Sequence, residues 1–174
     1  MGAGERHPRS SLLRGGEDAG TAGVVTASLS DDDRIRHLEQ VPLFSGFTKD
    51  ELRRIARISK VLEAKAGVAL TRLGEPGDSF FIIIDGRVGV QTPAGTGADL
   101  HPCDFFGEMS LLDGEPRSAT VTATTDIRLL VVERGNFWRL LDEAPEVIRR
   151  ILMVLSRRVR RLEQAANELR RRTV

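Results

Sequence analysis

A single cysteine, Cys103, leaves no internal disulfide to form, which agrees with a reducing compartment. Long apolar runs are missing as well. The longest, such as Phe80 to Ile84, fall far short of the roughly 20 residues a spanning helix needs, so no bilayer crossing is expected. The first thirty residues contain Arg6, Arg9 and Arg14, yet only Leu12 and Leu13 stand together as apolar residues. No secretory h-region exists there, and a cytoplasmic protein is expected. Histidine is scarce too: His7 lies in the N-terminal stretch, His37 on a leading helix, and only His101 is placed to line a barrel. A metal-dependent β-barrel enzyme needs two or three histidines with a carboxylate, so that class is excluded. Cys103 near His101 and Asp104 lacks an activating context, and no Ser-His-Asp set is supported. The expectation is a protein that is not an enzyme.

What is present fits one globular core. The chain has 174 residues, 40% hydrophobic and 29% charged, which excludes both a disordered and a membrane-embedded protein. Its net charge of +1 is unevenly spread. Residues 145–174 hold nine arginines against three glutamates, a balance of +6, which leaves about −5 for the remainder. Such a basic end suits an anionic partner, although an arginine-rich helix face is more often simply solvated.

Residues 1–29 are rich in Gly, Ala and Ser without periodicity and read as a flexible tail. Residues 30–58 read as N-terminal helices: Ser30 is a good N-cap before Asp31, Asp32 and Asp33, and Thr48 with Glu51 forms a capping box ahead of Leu52, Ile55 and Ile58. From 59 to 133 the pattern changes to short β-type runs broken by Gly and Pro, which predicts a mainly β sandwich or jelly-roll barrel. Gly67, Gly74, Gly77, Gly86 and Gly95 fall where turns are expected. Residues 134–174 return to helix, with Pro145 at a first helical position. Ile148, Ile151, Leu155, Val159, Leu162, Ala166 and Leu169 make one apolar stripe there, and its second half calls for a partner helix, such as that of a second copy through residues 155–169.

The stretch from Phe105 to Ala123, FFGEMSLLDGEPRSATVTA, carries the chemistry. Gly107 permits close backbone approach to a ligand, and Glu108 to Leu112 can form one helical turn whose N–H groups suit an anion. Arg117, after the turn Asp113 to Pro116, supplies a two-pronged and permanent cation for phosphate oxygens. Glu108 is an acceptor for sugar hydroxyls. Each feature is weak alone; their combination is not.

That combination, Phe106-Gly107-Glu108, the short apolar segment Met109 to Leu112, then Pro116-Arg117-Ser118-Ala119-Thr120-Val121, resembles the phosphate-binding cassette of the cyclic nucleotide-binding domain family. This is the family of the catabolite activator protein and the regulatory subunit of cAMP-dependent protein kinase. Upstream, Gly74-Glu75-Pro76-Gly77-Asp78-Ser79-Phe80-Phe81 looks like the family's Gly-Asp turn leading into an aromatic strand. The resemblance runs from about Val41 through the last helix. It implies an eight-stranded β-roll with flanking helices and a long C-terminal helix, binding a 3′,5′-cyclic nucleotide without altering it. It also implies phosphate contacts at Arg117, Ser118, Ser110, Met109 and Ala119, ribose contacts at Glu108 and Gly107, and support of Arg117 by Asp78.

The base is less defined. Ser118 resembles the cAMP-binding bacterial regulators without excluding cGMP. Leu162 and Glu163 occupy the long-helix positions where the catabolite activator type carries adenine-contacting hydroxyls, so base contact there falls to a packing residue and a carboxylate. Glu163 pairing with an arginine of its own helix is the simpler role. No DNA-reading or catalytic segment follows the long helix, so a stand-alone regulator is expected, signalling to an unknown effector protein by moving its C-terminal helix. The competing reading is a β-roll scaffold with a degenerate pocket that binds a partner or nucleic acid through the basic helix. Nucleic acid is the less favoured partner, because the arginines lack interleaved aromatics.

Overall fold

The computed structural model describes residues 23–97 and 99–172. It divides into two units, one reaching Phe137 and one starting at Trp138.

Helix α1 (Asp31–Gln40) begins where Ser30 accepts from the Asp33 amide, and α2 (Lys49–Ile58) begins with the reciprocal Thr48–Glu51 capping box. Both therefore start at the caps read from sequence. Their apolar faces bury Ile35, Leu38, Leu52, Ile55 and Ala56. Arg34 closes the other end of α2, donating from Nη1 to the carbonyls of Ala56 and Ser59.

The roll consists of eight strands: β2 (Ser59–Ala64), β3 (Ala69–Thr71), β4 (Ser79–Asp85), β5 (Val88–Thr92), β6 (Gly95–Thr96), β7 (Phe105–Phe106), β8 (Thr120–Ala123) and β9 (Ile127–Glu133). One further strand, β1 (Val24–Ala27), precedes them and pairs with β2, Val24 opposite Ala64. It lies within the stretch 1–29 read as a tail. Its Val-Val-Thr run has the β-branched character of a strand, which the surrounding glycine and alanine obscure. Residues 1–22 lie outside the described residues.

All pairings are antiparallel and form two sheets, ordered β1-β2-β9-β4-β7 and β3-β8-β5-β6. The core lies between them, with Leu62, Leu70, Phe81, Ile83, Val88, Phe106, Val121, Leu129 and Val131 turned inward. Strand β4 is buried on both faces, which explains its continuous apolar run. Phe81 and Ile83 face the roll interior. Phe80 packs outside against Phe105 and Phe137, with ring centroids 5.4 and 5.1 Å away.

Two further helices complete unit 1 and lead into unit 2: α3 (Glu108–Asp113), between β7 and β8, and α4 (Arg134–Glu143), which follows β9. The second unit continues into α5 (Pro145–Arg172), which Pro145 opens. Val147 and Ile151 are buried, whereas Leu152, Val159 and Leu162 are 58%, 52% and 69% exposed. Among the described residues no helix is long and apolar enough to cross a membrane.

Candidate ligand site

The site is built around Arg117. Gly114 closes α3 with φ 77°, and the chain then folds back so that Arg117 lies only 7% exposed beside the start of that helix. Its backbone N–H donates to the Glu75 carbonyl at 2.8 Å, and its carbonyl accepts from the Gly74 amide at 2.9 Å, which seats it against the β3–β4 turn. The guanidinium donates from Nη1 to the Gly107 carbonyl at 3.0 Å and from Nη2 to the Ser79 carbonyl at 2.9 Å. Phe81 lies beneath it, with Cζ 5.6 Å from the ring centroid, close enough for a cation–π attraction.

Two glycines shape the space around this group. Gly107 caps α3 with φ 87°, and a Cβ there would come within 2.7 Å of the Ser79 carbonyl and 2.9 Å of Arg117 Nη1. A side chain is therefore excluded by conformation and by contact alike. At Gly77 a Cβ would lie 2.6 Å from both Arg117 Nε and Ser110 Cβ. Gly77 is thus more than the turn residue read from sequence: it is flush against the guanidinium.

Burial is the largest influence on Arg117 and pushes its pKa below the ordinary guanidinium value. The carboxylates of Asp78 and Glu108 pull it back up, and the nearby cation of Arg134 depresses it further. Asp78, expected to support Arg117, acts on it electrostatically. Among the described residues Arg117 forms no ion pair, and Asp78 Oδ1 instead accepts from the Ser79 hydroxyl at 3.1 Å. Among the described residues the guanidinium donates to two carbonyls, and a desolvated guanidinium of this kind can also donate to an oxyanion.

The structure gathers Gly77, Gly107, Ser110 and Arg117 in one place. Glu108 is 1% exposed at the first turn of α3, and Ser110 is likewise buried. Ser118 and Met109 are exposed and touch each other, hydroxyl to sulfur at 3.6 Å, and the Ala119 carbonyl accepts from the Thr71 hydroxyl. Leu162 and Glu163 belong to the second unit, on an exposed part of α5. Arg134 escaped the sequence reading. Its signal was an arginine at the first position of a helix, where the dipole disfavours a cation.

Other chemistry finds little footing. Burial, with Asp104 nearby, pushes the Cys103 thiol pKa up, away from the thiolate a nucleophile needs. Among the described residues no group of three or more His, Cys, Asp and Glu side chains is placed to hold a metal ion.

A two-sheet roll that buries a glycine-flanked guanidinium has the chemistry to hold a small anion. Residues 61–144 match the family model of the cyclic nucleotide-binding domain, and the chain belongs to that family through this stretch. A cyclic nucleotide-gated potassium channel of Mesorhizobium japonicum is 42% identical over 107 residues, covering 62% of this chain and 30% of the channel. A CRP-like cAMP-activated global transcriptional regulator of Mycobacterium tuberculosis is 30% identical over 129 residues, covering 71% of this chain and 58% of the regulator. The crystal structure of a cyclic nucleotide-binding domain from Methylobacillus flagellatus superposes with a TM-score of 0.72 at 26% identity, covering 90% of this chain and 92% of that one. The chain thus spans about a third to three fifths of the two curated relatives.

Proposed function

We propose that this protein is a regulator that binds a 3′,5′-cyclic nucleotide without changing it, cAMP in preference to cGMP. The observation that carries the reading is Arg117, a buried guanidinium held by two carbonyls and walled by Gly77 and Gly107. The cyclic phosphate docks on Arg117 with Ser110, Ser118, Ala119 and the backbone around Met109 beside it. The ribose hydroxyl meets Glu108 next to Gly107. Preference for cAMP is supported by the description of the mycobacterial relative as cAMP-activated. Calorimetry with cAMP, cGMP and 5′-AMP tests this. The wild type is expected to bind cAMP most tightly and 5′-AMP hardly at all, because the open nucleotide carries a second phosphate charge and a bulkier head. Arg117→Lys keeps the charge but loses the fork, and affinity should fall about tenfold. Unchanged affinity in that variant contradicts the assignment.

The output runs through α5, and we propose that α5 also pairs with a second copy. Ile148, Leu152, Leu155, Val159, Leu162, Ala166 and Leu169 alternate four and three residues apart, an unbroken heptad seam. In a parallel pair Arg158 and Glu163 occupy the flanking positions that face each other across the seam, while Arg150, Arg157, Arg160 and Arg161 point away from it. This assigns Leu162 and Glu163 to the helix pair in place of the base. Sedimentation of Arg158→Glu and Glu163→Arg should show dimer dissociation constants raised about tenfold, from two like-charge contacts of roughly 0.5–1 kcal/mol each. The double swap should restore pairing. A wild type that stays monomeric at high concentration rejects the helix pair.

A further inference from the structure

In the first turn of α3, Glu108, Ser110 and Leu111 are buried, whereas Met109 is 44% exposed. Ser118, the residue after Arg117, is exposed as well, and its hydroxyl donates to the Met109 sulfur at 3.6 Å. The contact ties the start of α3 to the residue that follows the buried guanidinium.

A thioether is a weak acceptor, so the Ser118 hydroxyl can leave it for a phosphate oxygen at little cost. The same sulfur is open to oxidation. An accessible methionine takes one oxygen from a peroxide: the sulfur lone pair forms the S–O bond, the O–O bond breaks, and the departing hydroxide collects the remaining hydroxyl proton as water. Sulfur is oxidised to the sulfoxide and the peroxide is reduced to water. At Met109 the product carries a polar oxygen on the atom that the Ser118 hydroxyl already touches. An O–H···O bond then replaces O–H···S, and the new oxygen presents the negative end of its dipole to an arriving phosphate.

We propose that Met109 is an oxidation site whose sulfoxide captures the Ser118 hydroxyl and lowers affinity for the cyclic nucleotide. This rests on the cyclic nucleotide reading. The guanidinium of Arg117 keeps its bonds to the Gly107 and Ser79 carbonyls, so binding weakens without being abolished. Sulfoxide formation is reversible by enzymatic reduction, which makes the change a switch and not permanent damage. Cys103 is the poorer target, because burial and Asp104 hold its thiol protonated.

The test treats the wild type, Met109→Leu, Ser118→Ala and Met153→Leu with hydrogen peroxide, locates the added oxygen by peptide mass, and reads cAMP affinity by calorimetry before and after. Met153, 51% exposed on α5, controls for oxidation elsewhere. The wild type and Met153→Leu should each lose about tenfold in affinity, the effect of one hydrogen bond to a charged group. The epimer-specific methionine sulfoxide reductases should restore it. Met109→Leu and Ser118→Ala each start from their own affinity, and peroxide should move neither by more than about twofold, the signature of a coupled pair. Met109 in Ser118→Ala should still gain its oxygen. An equal loss in Ser118→Ala overturns capture of the hydroxyl. A loss that persists in Met109→Leu, no loss in a wild type whose Met109 is oxidised, or a Met109 that takes up no oxygen overturns the site. An untreated wild type that binds neither cAMP nor cGMP defeats the cyclic nucleotide reading and the switch with it, a failure seen before peroxide is added.

Discussion

Gly77→Ala is expected to weaken cyclic nucleotide binding about 100-fold. The added Cβ would sit 2.6 Å from Arg117 Nε, 2.7 Å from its Cζ and 2.6 Å from Ser110 Cβ. None of these atoms can retreat cheaply. Arg117 is pinned by the carbonyls of Gly107 and Ser79 and lies over Phe81, and Ser110 belongs to α3, whose carbonyl Arg134 holds. The fork must therefore rotate or withdraw, and a misaimed fork forfeits charge-assisted hydrogen bonds worth roughly 1.5–3 kcal/mol each. Loss of about two decades corresponds to about 2.8 kcal/mol, close to one such bond. Gly46→Ala is the control. Its φ of 85° imposes a backbone cost of about 1–2 kcal/mol, yet nothing lies within 4 Å of the added carbon. Melting should fall while affinity stays within twofold. Calorimetry on the pair separates contact with Arg117 from general strain, and a Gly77→Ala protein that binds like the wild type removes Gly77 from the site.

The contrast between those glycines shows what sequence could and could not disclose. Gly77 and Gly46 look alike as turn residues, and only the return of Arg117 from a turn forty residues later makes one of them sensitive. Local signals were readable because their causes are local: the Thr48–Glu51 box, the Ser30 cap, Pro145 at the start of α5 and the apolar β4 strand all formed as expected. The cassette from Gly107 to Arg117 was readable for the same reason, since both ends lie in one short segment. The partners of Arg117 were not. They are backbone carbonyls, which every residue possesses, so no side-chain pattern points to Ser79, whereas the carboxylate of Asp78 is visible in the sequence and accepts from the Ser79 hydroxyl. Arg134 was hidden by the same rule, since its partners Gly77 and Ser110 also accept through backbone carbonyls. Strand β1 was hidden by composition, four residues of strand at the end of a glycine-rich stretch.

Phe81→Ala should cost the most stability of any change near the site. Phe81 is fully buried, stacks on Phe106 with centroids 4.7 Å apart and planes at 10°, and belongs to the cluster that joins the two sheets. Truncation of such a ring typically costs about 3–5 kcal/mol, set against a total stability of roughly 5–15 kcal/mol for a domain. Melting should drop by about 10 °C or more, with the unfolded fraction rising under native conditions. The informative variant is milder. Phe81→Leu keeps much of the volume and should cost about 1–1.5 kcal/mol, similar to Ile83→Val in the same cluster. The two differ in what lies above them, because only Phe81 has the Arg117 guanidinium on its face. Removing a desolvated cation–π contact worth about 1–2 kcal/mol frees Arg117 to move, and nucleotide affinity should fall between fivefold and thirtyfold in Phe81→Leu. Ile83→Val should bind as the wild type does. If the two variants lose affinity equally at equal stability, then the ring supports the roll and not the guanidinium, and the ordering of Arg117 must come from its two carbonyl bonds alone.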